Sequence, residues 1–422
     1  MSLETPRRNH GLLLVWGAAL LAAALKVGWI FTSSGTCDTV LFFLFGKALD
    51  HSTLAEMYRT SPMFNHTPLT GCAVRALYRL VGGDYFAFAA GIRLASVAAD
   101  LGILGGLLYL RRLTGKPAWW ALVLFAASPV SLMISGFHGN VDPVMVLFLF
   151  AAVLALVAQR PILCGVLFAA ACSVKVMPLV FGPVFAVWWL THRRSDAIRF
   201  TVTAAVLFLL SSAWPLLQCP GAYAHKVLGY GSYWGTWGVT YWLHQTGLSA
   251  FQVVDFKGLS SAQNSISSCL KFATVGAVLL LGWRRRKVAG PEFATTMTAA
   301  FAAIFVFAPG AGPQYLVWFA PFLAWSAPRW YAAITGCSAA YMAAFYHPAA
   351  KWQFPWDMAF PQGWEISVWG PWMNLPWGAF LVFAACEARK WWRAEATAPV
   401  KELPPRPASE AGVAMDGIPA AV

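Results

Sequence analysis

Long apolar stretches separated by short links fill most of this chain, and they constrain its fold more than any other feature. Hydrophobic residues make up 59% of the 422 positions and charged residues only 11%, whereas a soluble chain carries about 25% charged residues. About 20 apolar residues in a helix cross a hydrocarbon core about 30 Å thick. The sequence therefore predicts an all-α integral membrane protein, a polytopic helical bundle of about twelve transmembrane helices.

The predicted spans include one pair of short segments that meet at a proline. We place the spans at about 11–31, 85–110, 117–135, 142–158, 161–173, 176–190, 200–217, 264–283, 293–308, 315–327, 331–346 and 374–388. Pro178 should interrupt the helix where the fifth and sixth spans meet. Lipid does not tolerate the backbone groups that such a break leaves unpaired. We therefore expect this junction to be buried in protein or to line a watery cavity.

Basic residues follow the links in a pattern that predicts the membrane topology. The formal net charge is +13, and Lys and Arg cluster in every second link, for example at 111–112 and 284–287. The positive-inside rule explains this distribution better than nucleic-acid binding does. An even number of spans places both termini in the cytoplasm. The large extracytoplasmic loops are then about 32–84, 218–263 and 347–373.

The chain divides into one membrane domain and a tail. We expect a polytopic transmembrane domain over 1–393 and a disordered cytoplasmic tail over 394–422, which is rich in Ala, Pro and Glu. The first loop contains an apolar segment, 39–49, that is too short to span and should lie along the outer interface. Cys37 and Cys72 share this loop, and the sequence leaves open whether they form a disulfide.

Asp38 follows the first span directly, at the boundary between lipid and water. A carboxylate in that position can have a raised pKa and act as a general base. The alternative interpretation is an N-cap of the interfacial helix, since Asp is a favoured cap. The two roles are compatible.

Further polar residues cluster at the predicted outer face. His138, Asn140 and Asp142 open the fourth span, and Asp142-Pro143 also suits a helix N-terminus, where Asp142 would be a cap. Lys175, at the helix break, is typical of a phosphate-binding point charge, and the alternative is a lysine that extends to the interface. We interpret Arg93 and Asp100, two turns apart in the second span, as structural intramembrane residues.

Two loop features carry weaker signals. The Trp-rich segment 351–377 fits either an interfacial aromatic belt or a surface that stacks on sugar rings. Segment 58–69, which includes His66, fits an ordinary loop. The chain has no HExxH motif and no His pair at tight ligand spacing, so no metal site is predicted. No cofactor is firmly predicted either, and a requirement for a divalent metal stays open.

Seven short elements, in this order, resemble those of the C-type glycosyltransferase superfold (GT-C), whose members use polyprenyl-phosphate sugars as donors. They are Asp38, Phe64–Leu69, Ala99-Asp100, His138–Asp142, Lys175–Pro178, Tyr230…Trp237-Gly238 and Gly312–Leu316. The elements run along most of 11–388. Asn140 departs from the pattern, because many members have Gln there.

This resemblance implies a hexosyltransferase. The enzyme would be inverting and move a hexose, mannose first, from polyprenyl phosphate to a lipid-linked or glycan acceptor on the extracytoplasmic face. The Ala-rich composition favours the periplasmic side of a bacterial inner membrane, and the charge pattern fits an endoplasmic reticulum protein equally well. The implied catalytic base is Asp38. The implied donor phosphate and sugar ligands are Lys175, His138, Asn140, Asp142 and Gln314. His66, Tyr230 and Trp237 are candidates for the acceptor or its loops. Rival functions are a secondary transporter and a non-catalytic lipid-binding subunit.

Overall fold

The protein is built from helices that follow the predicted spans closely. A computed structural model describes residues 5–229, 234–252, 258–351, 353–358 and 371–393. Within these ranges the structure contains helices and no β-strand, and the only β-type pairing there is an isolated bridge between Thr36 and Met358. The predicted all-α class is confirmed for the described residues.

The first half of the chain has a group of short helices between its first two long ones. The helices are α1 (Thr5–Thr32), α2 (Cys37–His51), α3 (Leu54–Thr60), α4 (Pro68–Leu80), α5 (Tyr85–Thr114), α6 (Trp119–Ala126), α7 (Pro129–Ser131), α8 (Asp142–Val157), α9 (Pro161–Val174) and α10 (Gly182–His192). A π-helical segment, Leu132–His138, follows α7, and a 3₁₀ turn, Met177–Phe181, precedes α10. The predicted interfacial segment is helical, as α2.

The second half is also helical. Its helices are α11 (Arg194–Gln218), α12 (Pro220–Tyr223), α13 (Gly238–Gln245), α14 (Ser261–Arg284), α15 (Phe293–Phe307), α16 (Ala320–Ser326), α17 (Pro328–Ala349) and α18 (Asn374–Arg393). A π-helical segment, Ala224–Leu228, follows α12, and 3₁₀ turns lie at Ser249–Phe251, Gly290–Glu292, Pro313–Val317 and Pro371–Met373. Helix α8 packs between α5 and α9, α9 packs on α11, and α15 packs on α14, α16 and α18.

Six described helices are long and apolar enough to cross a membrane. They are His10–Thr32, Tyr85–Thr114, Trp119–His138, Arg194–Gln218, Ser261–Arg284 and Gly290–Phe307. Three shorter apolar helices are Asp142–Val157, Pro161–Val174 and Met177–His192. These helices agree with the first nine predicted spans, so the chain is a helical membrane protein. The full number of twelve spans stays a prediction.

The predicted helix break is present, and a loop helix satisfies its backbone. Helix α9 ends at Val174, and Lys175 is extended, with φ −149° and ψ 138°. The hydroxyl of Thr70 donates to the carbonyl of Val174 at 2.6 Å, and that of Thr67 donates to the carbonyls of Ser173 and Val174. Both threonines are buried, so they replace water for carbonyls that lipid could not satisfy.

Other expectations concern two cysteines and segments outside the described residues. Cys37 and Cys72 are free thiols in the structure. The predicted tail 394–422, Tyr230, and Trp352 and Trp364 of the Trp-rich loop lie outside the described residues. Trp356 of that loop packs against other aromatic rings, with its ring centroid 5.3 Å from that of Trp29.

Candidate functional site

The turn between α1 and α2 carries Asp38 and is held by buried groups. The guanidinium of Arg93, fully buried, donates to the carbonyls of Ile30 at 3.0 Å and Ser33 at 2.8 Å. Ser33 also donates to the carbonyl of Trp356 at 2.5 Å. These bonds satisfy the carbonyls where α1 ends, which have no helical partner. Arg93 thus has the contacts of a structural residue, and it fixes the chain just before Asp38.

Thr36, rather than Asp38, caps α2. The Thr36 side chain accepts from the backbone N–H of Asp38 at 3.3 Å, and Asp38 lies in the first helical turn. The interpretation of Asp38 as the N-cap is therefore wrong. Because the cap is supplied by a neighbour, the Asp38 carboxylate is available to side chains from elsewhere in the fold.

Two side chains from the turn between the third and fourth predicted spans reach that carboxylate. Oδ2 of Asp38 lies 3.0 Å from Nε2 of His138 and accepts from Nδ2 of Asn140 at 2.7 Å. Gly139, between these two residues, lets the backbone turn so that both side chains reach Asp38. Its φ is +74°, and a Cβ there would lie 2.3 Å from Thr39, so only glycine fits this position. The helix also widens here, since the N–H of Gly139 bonds to the carbonyl of Ile134, five residues back. Such π-type turns are frequent at functional sites.

Tyr346 extends this network on the other side of the His138 ring. Its hydroxyl lies 2.7 Å from Nδ1 of His138, and both side chains are buried. If the tyrosine donates to Nδ1, then Nε2 of a neutral ring carries the proton that faces Asp38. Tyr346 therefore sets the tautomer of His138. Sequence reasoning missed it because Tyr346 lies 208 residues from its partner.

The surroundings of Asp38 favour its ionised form. Burial by itself raises the pKa of this carboxyl, but His138 and Asn140, together with the charge of Lys175, lower the pKa below its ordinary value. The expectation of a raised pKa is wrong for this reason. The side chain keeps 24% of its surface exposed, so a bound hydroxyl could approach the ionised carboxylate.

A second charged pair lies beside the first. Nζ of Lys175 donates to both carboxylate oxygens of Asp142, at 2.8 and 3.0 Å, and Nε1 of Trp318 donates to Asp142 at 2.5 Å. The ammonium also lies 4.6 Å from the ring centroid of Tyr315. Asp142 is fully buried and makes no side-chain cap bond to α8. The cap interpretation of Asp142 is wrong, since its oxygens are used by Lys175 and Trp318.

These groups line a cavity of about 870 Å³. Of the residues predicted for the site, five line it: Asp38, His66, Asn140, Lys175 and Gln314. The cavity is mixed in character, because apolar side chains of α2, α14 and α15 form much of the remaining wall, among them Phe42, Phe45, Phe272, Val275, Ile304 and Phe305. A mixed cavity of this size can hold a ligand with a polar end and an apolar end.

The remaining predicted residues have other surroundings. His138 and Asp142 lie behind the cavity wall and contact the lining residues Asp38 and Lys175. Trp237 is buried and donates to the carbonyl of Phe305 at 2.7 Å, which is a packing contact. Tyr230 lies outside the described residues.

His66 is a neutral member of the cavity wall. Its ring centroid lies 4.8 Å from that of Phe42, and its carbonyl accepts from the Tyr58 hydroxyl at 2.7 Å. Burial, with a further effect of Lys175, lowers the pKa of His66 to about 3. The ring therefore offers a neutral polar surface at ordinary pH rather than a positive charge.

Asp100 belongs to a separate buried cluster. Its Oδ2 lies 2.6 Å from Nζ of Lys26 in α1 and accepts from the Ser131 hydroxyl at 2.6 Å. Lys26 is 4% exposed and also donates to Ser131 at 2.7 Å. The cluster joins three helical segments away from the large cavity, as expected for a structural ion pair. Sequence reasoning missed Lys26, a single charge within an apolar span. Within the described ranges, no group of three His, Cys, Asp or Glu side chains could hold a metal ion.

Part of the chain, which carries some of the site residues, matches the model of a known family. Residues 50–193 match the model of the MptA_B family, described as alpha-(1->6)-mannopyranosyltransferase, N-terminal domain. Over this segment the chain is similar to a GT-C-type mannosyltransferase. The resemblance drawn from the sequence is confirmed there, and the match supports a glycosyltransferase that acts with mannose. No curated protein matches the chain.

The MptA_B match covers some of the site residues and not others. It includes the segments of His66, His138, Asn140, Asp142 and Lys175, and it ends before the residues of α14 and α15. Asp38 and Gln314 lie outside the matched range. Their place in the site therefore rests on the cavity geometry alone.

The hydrogen bond from Tyr346 to His138 can be tested by removing one atom. We expect Tyr346→Phe to lower kcat roughly three- to tenfold, with KM for the donor little changed, because a positioning bond of about 0.5–1.5 kcal/mol is lost. The measurement is steady-state transfer kinetics. Tyr341→Phe is the matched control, since the Tyr341 hydroxyl in the same helix has no hydrogen-bond partner among the described residues. Equal kinetics for Tyr346→Phe and wild type would refute the positioning role.

Proposed function

We propose that this protein is an inverting mannosyltransferase that takes its sugar from polyprenyl phosphate and transfers it on the extracytoplasmic face of the membrane. The observation that carries the proposal is the single cavity that joins an ionised, half-buried Asp38 to an apolar wall. The polar end suits sugar transfer, and the apolar wall suits the lipid of a lipid-linked donor. The family match over residues 50–193 supports mannose.

In this mechanism Asp38 is the general base. An acceptor hydroxyl attacks the anomeric carbon from the side opposite the phosphate, and its proton passes to the Asp38 carboxylate. The bond between the anomeric carbon and the phosphate oxygen breaks, and polyprenyl phosphate leaves with the electron pair. General-base catalysis of this kind contributes about 10²–10⁴ in rate. His138 and Asn140 hold the carboxylate in place through the bonds described above.

The other cavity residues bind the donor. The Lys175 ammonium stabilises charge on the departing phosphate, an electrostatic role that is often the largest single contribution. Asp142 and Trp318 hold Lys175 in position. Oδ1 of Asn140 is buried and has no hydrogen-bond partner among the described residues, so it can accept from a sugar hydroxyl. Gln314, which lines the cavity, supplies a further amide for the sugar or the phosphate.

The lowered pKa of Asp38 predicts that transfer is insensitive to mild acid. Its carboxyl titrates below the ordinary value of 3.8, so the base form persists as the pH falls from 7 to about 5. The same shift stabilises the fold above the ordinary pKa, a contribution lost as the pH falls through the folded value. We expect initial rates at saturating donor to change less than about twofold over this range on account of Asp38.

The pH profile needs a control for His138, which contacts the same carboxylate. Because His138→Gln would remove a group that lowers the Asp38 pKa, the control is spectroscopic: a wild-type loss of rate between pH 7 and about 5 that parallels the loss of an infrared carboxylate band absent from Asp38→Asn would belong to Asp38. That result would contradict the low pKa and restore the raised value expected from the sequence.

Sugar transfer from defined donors tests the function itself. Membranes that contain the protein are given radiolabelled polyprenyl-phosphate mannose, glucose, galactose and a pentose, and labelled products are compared with those of membranes without it. We expect a new product from the mannose donor. Donor binding without a product would instead support a lipid-binding subunit. Uptake of label into sealed vesicles, with no covalent product, would support a transporter.

A further inference from the structure

Two lysines on the cavity wall play no part in the mechanism above. Lys226 lies in the π-helical segment Ala224–Leu228, Lys271 lies in α14, and both line the 870 Å³ cavity. Their ammonium groups lie 3.4 Å from the carbonyls of Pro62 and Gly229, respectively. Neither forms an ion pair with a carboxylate in the part of the chain that the structure describes. Lys175, by contrast, forms an ion pair with Asp142.

Lys271 lies where α14 changes from polar to apolar. The helix begins with the polar stretch 261–268, and the apolar residues start at Cys269. Only 11% of its apolar window is buried, so α14 presents most of its surface to lipid. Lys271 lies seven residues inside the predicted span 264–283, so its charge falls in the outer part of a predicted membrane segment. Intramembrane and boundary charges are costly enough to suggest a function.

The side chains that follow Lys271 continue the cavity toward lipid. Phe272 is 78% exposed and Val275 is 42% exposed, and both line the same cavity as Lys226 and Lys271. A lysine that served only as an interfacial anchor would extend its ammonium into water. The Lys271 ammonium is accessible and also lies 3.4 Å from the Gly229 carbonyl in the cavity wall, so positive charge and exposed apolar surface meet at the cavity mouth.

We propose that Lys226 and Lys271 form a second anion site, which binds a phosphate group carried on a lipid. The phosphate lies between the two ammonium groups, and the hydrocarbon chain runs over Phe272 and Val275. Two sources share this chemistry: the phosphate of the polyprenyl carrier, which is a monoester once the sugar has left, and the phosphodiester of an anionic acceptor lipid. The choice of these two lipids rests on the proposed function. The site itself rests on the two lysines and the apolar mouth.

Binding measurements on the full-length protein in neutral phosphatidylcholine nanodiscs test the site. The probes are polyprenyl monophosphate, phosphatidylglycerol, uncharged polyprenol and inorganic phosphate. We expect the wild type to bind one lipid phosphate at least tenfold more tightly than polyprenol, and Lys226→Ala/Lys271→Ala to lower that preference at least tenfold. Lys175, which binds phosphate in the proposed mechanism, is the same in both proteins. Lys226→Arg/Lys271→Arg should retain the preference. Lys47→Ala is the matched control, because Lys47 is exposed on α2 and does not line the cavity.

Each outcome decides a part of the proposal. A preference for polyprenyl phosphate that falls in the double alanine variant assigns the polyprenyl carrier, and one for phosphatidylglycerol assigns an acceptor lipid. An unchanged preference in that variant overturns the site. Inorganic phosphate that binds as tightly as either lipid overturns the requirement for a lipid. A melting temperature close to that of the Lys47→Ala control shows that the double variant is folded.

The same variants separate this site from the proposed function. Lysine-dependent phosphate binding in a protein that transfers no sugar would leave the site in place and refute the transferase. Normal sugar transfer in a protein whose phosphate binding does not depend on Lys226 and Lys271 would refute the second site and leave the transferase in place.

Discussion

Asp38→Asn should lower sugar transfer by about 10²–10⁴-fold while leaving folding and donor binding intact. The amide has nearly the shape of the carboxylate, and Thr36 caps α2 in either case. It cannot take a proton from the acceptor hydroxyl, however, so the rate falls through kcat. The measurement is transfer of labelled mannose together with binding of the unlabelled donor to the same preparation.

Asp50→Asn is the matched control for this variant. Asp50 lies on the same helix, pairs with Arg79 and does not line the cavity, so its loss should leave transfer within about twofold. Transfer by Asp38→Asn at the wild-type rate would remove Asp38 from the base role. Loss of both transfer and donor binding would instead assign it a binding role.

Lys26→Met should destabilise the fold by about 3–5 kcal/mol. The substitution leaves the Asp100 carboxylate in an apolar environment with only the Ser131 hydroxyl as a partner. Removal of one partner from a buried ion pair is costly because the other charge stays behind without compensation. The measurement is the free energy of unfolding from a denaturant titration in mixed micelles. The melting temperature gives an independent check.

The double variant Lys26→Met/Asp100→Leu separates the charge effect from packing. With both charges removed, stability should return to within about 1–2 kcal/mol of wild type, because a buried pair adds little over apolar side chains of similar size. Lys47→Met, at an exposed position on α2, should have no measurable effect. A double variant as unstable as Lys26→Met would show that the loss comes from packing around Lys26.

The predictions that succeeded from sequence rest on local chemistry. Pro178, three residues after Lys175, cannot donate a helical hydrogen bond, and the break lies where it was expected, although Pro215 and Pro348 lie within α11 and α17. Apolar length likewise located α5 and α14 within a few residues. These features depend only on neighbours along the chain, so no knowledge of the fold was needed.

The predictions that failed depend on contacts between distant segments. Asp38 and Asp142 both precede or begin helices, and local rules favour caps at such positions. In the structure a neighbouring threonine caps α2, and Asp142 is held by Lys175 and Trp318, 33 and 176 residues away. The predicted direction of the Asp38 pKa shift was wrong for the same reason, because the shift depends on His138, which lies 100 residues away in the chain.

The capping of the α9 break by Thr67 and Thr70 has a consequence for biogenesis. The two hydroxyls precede the carbonyls that they satisfy by about a hundred residues, with separations of 104 and 106. On the predicted topology, the loop that carries them has been translocated before α9 leaves the ribosome. The broken helix therefore meets its hydrogen-bond donors as soon as it inserts, and a chain that lacks this loop would strand two carbonyls in lipid.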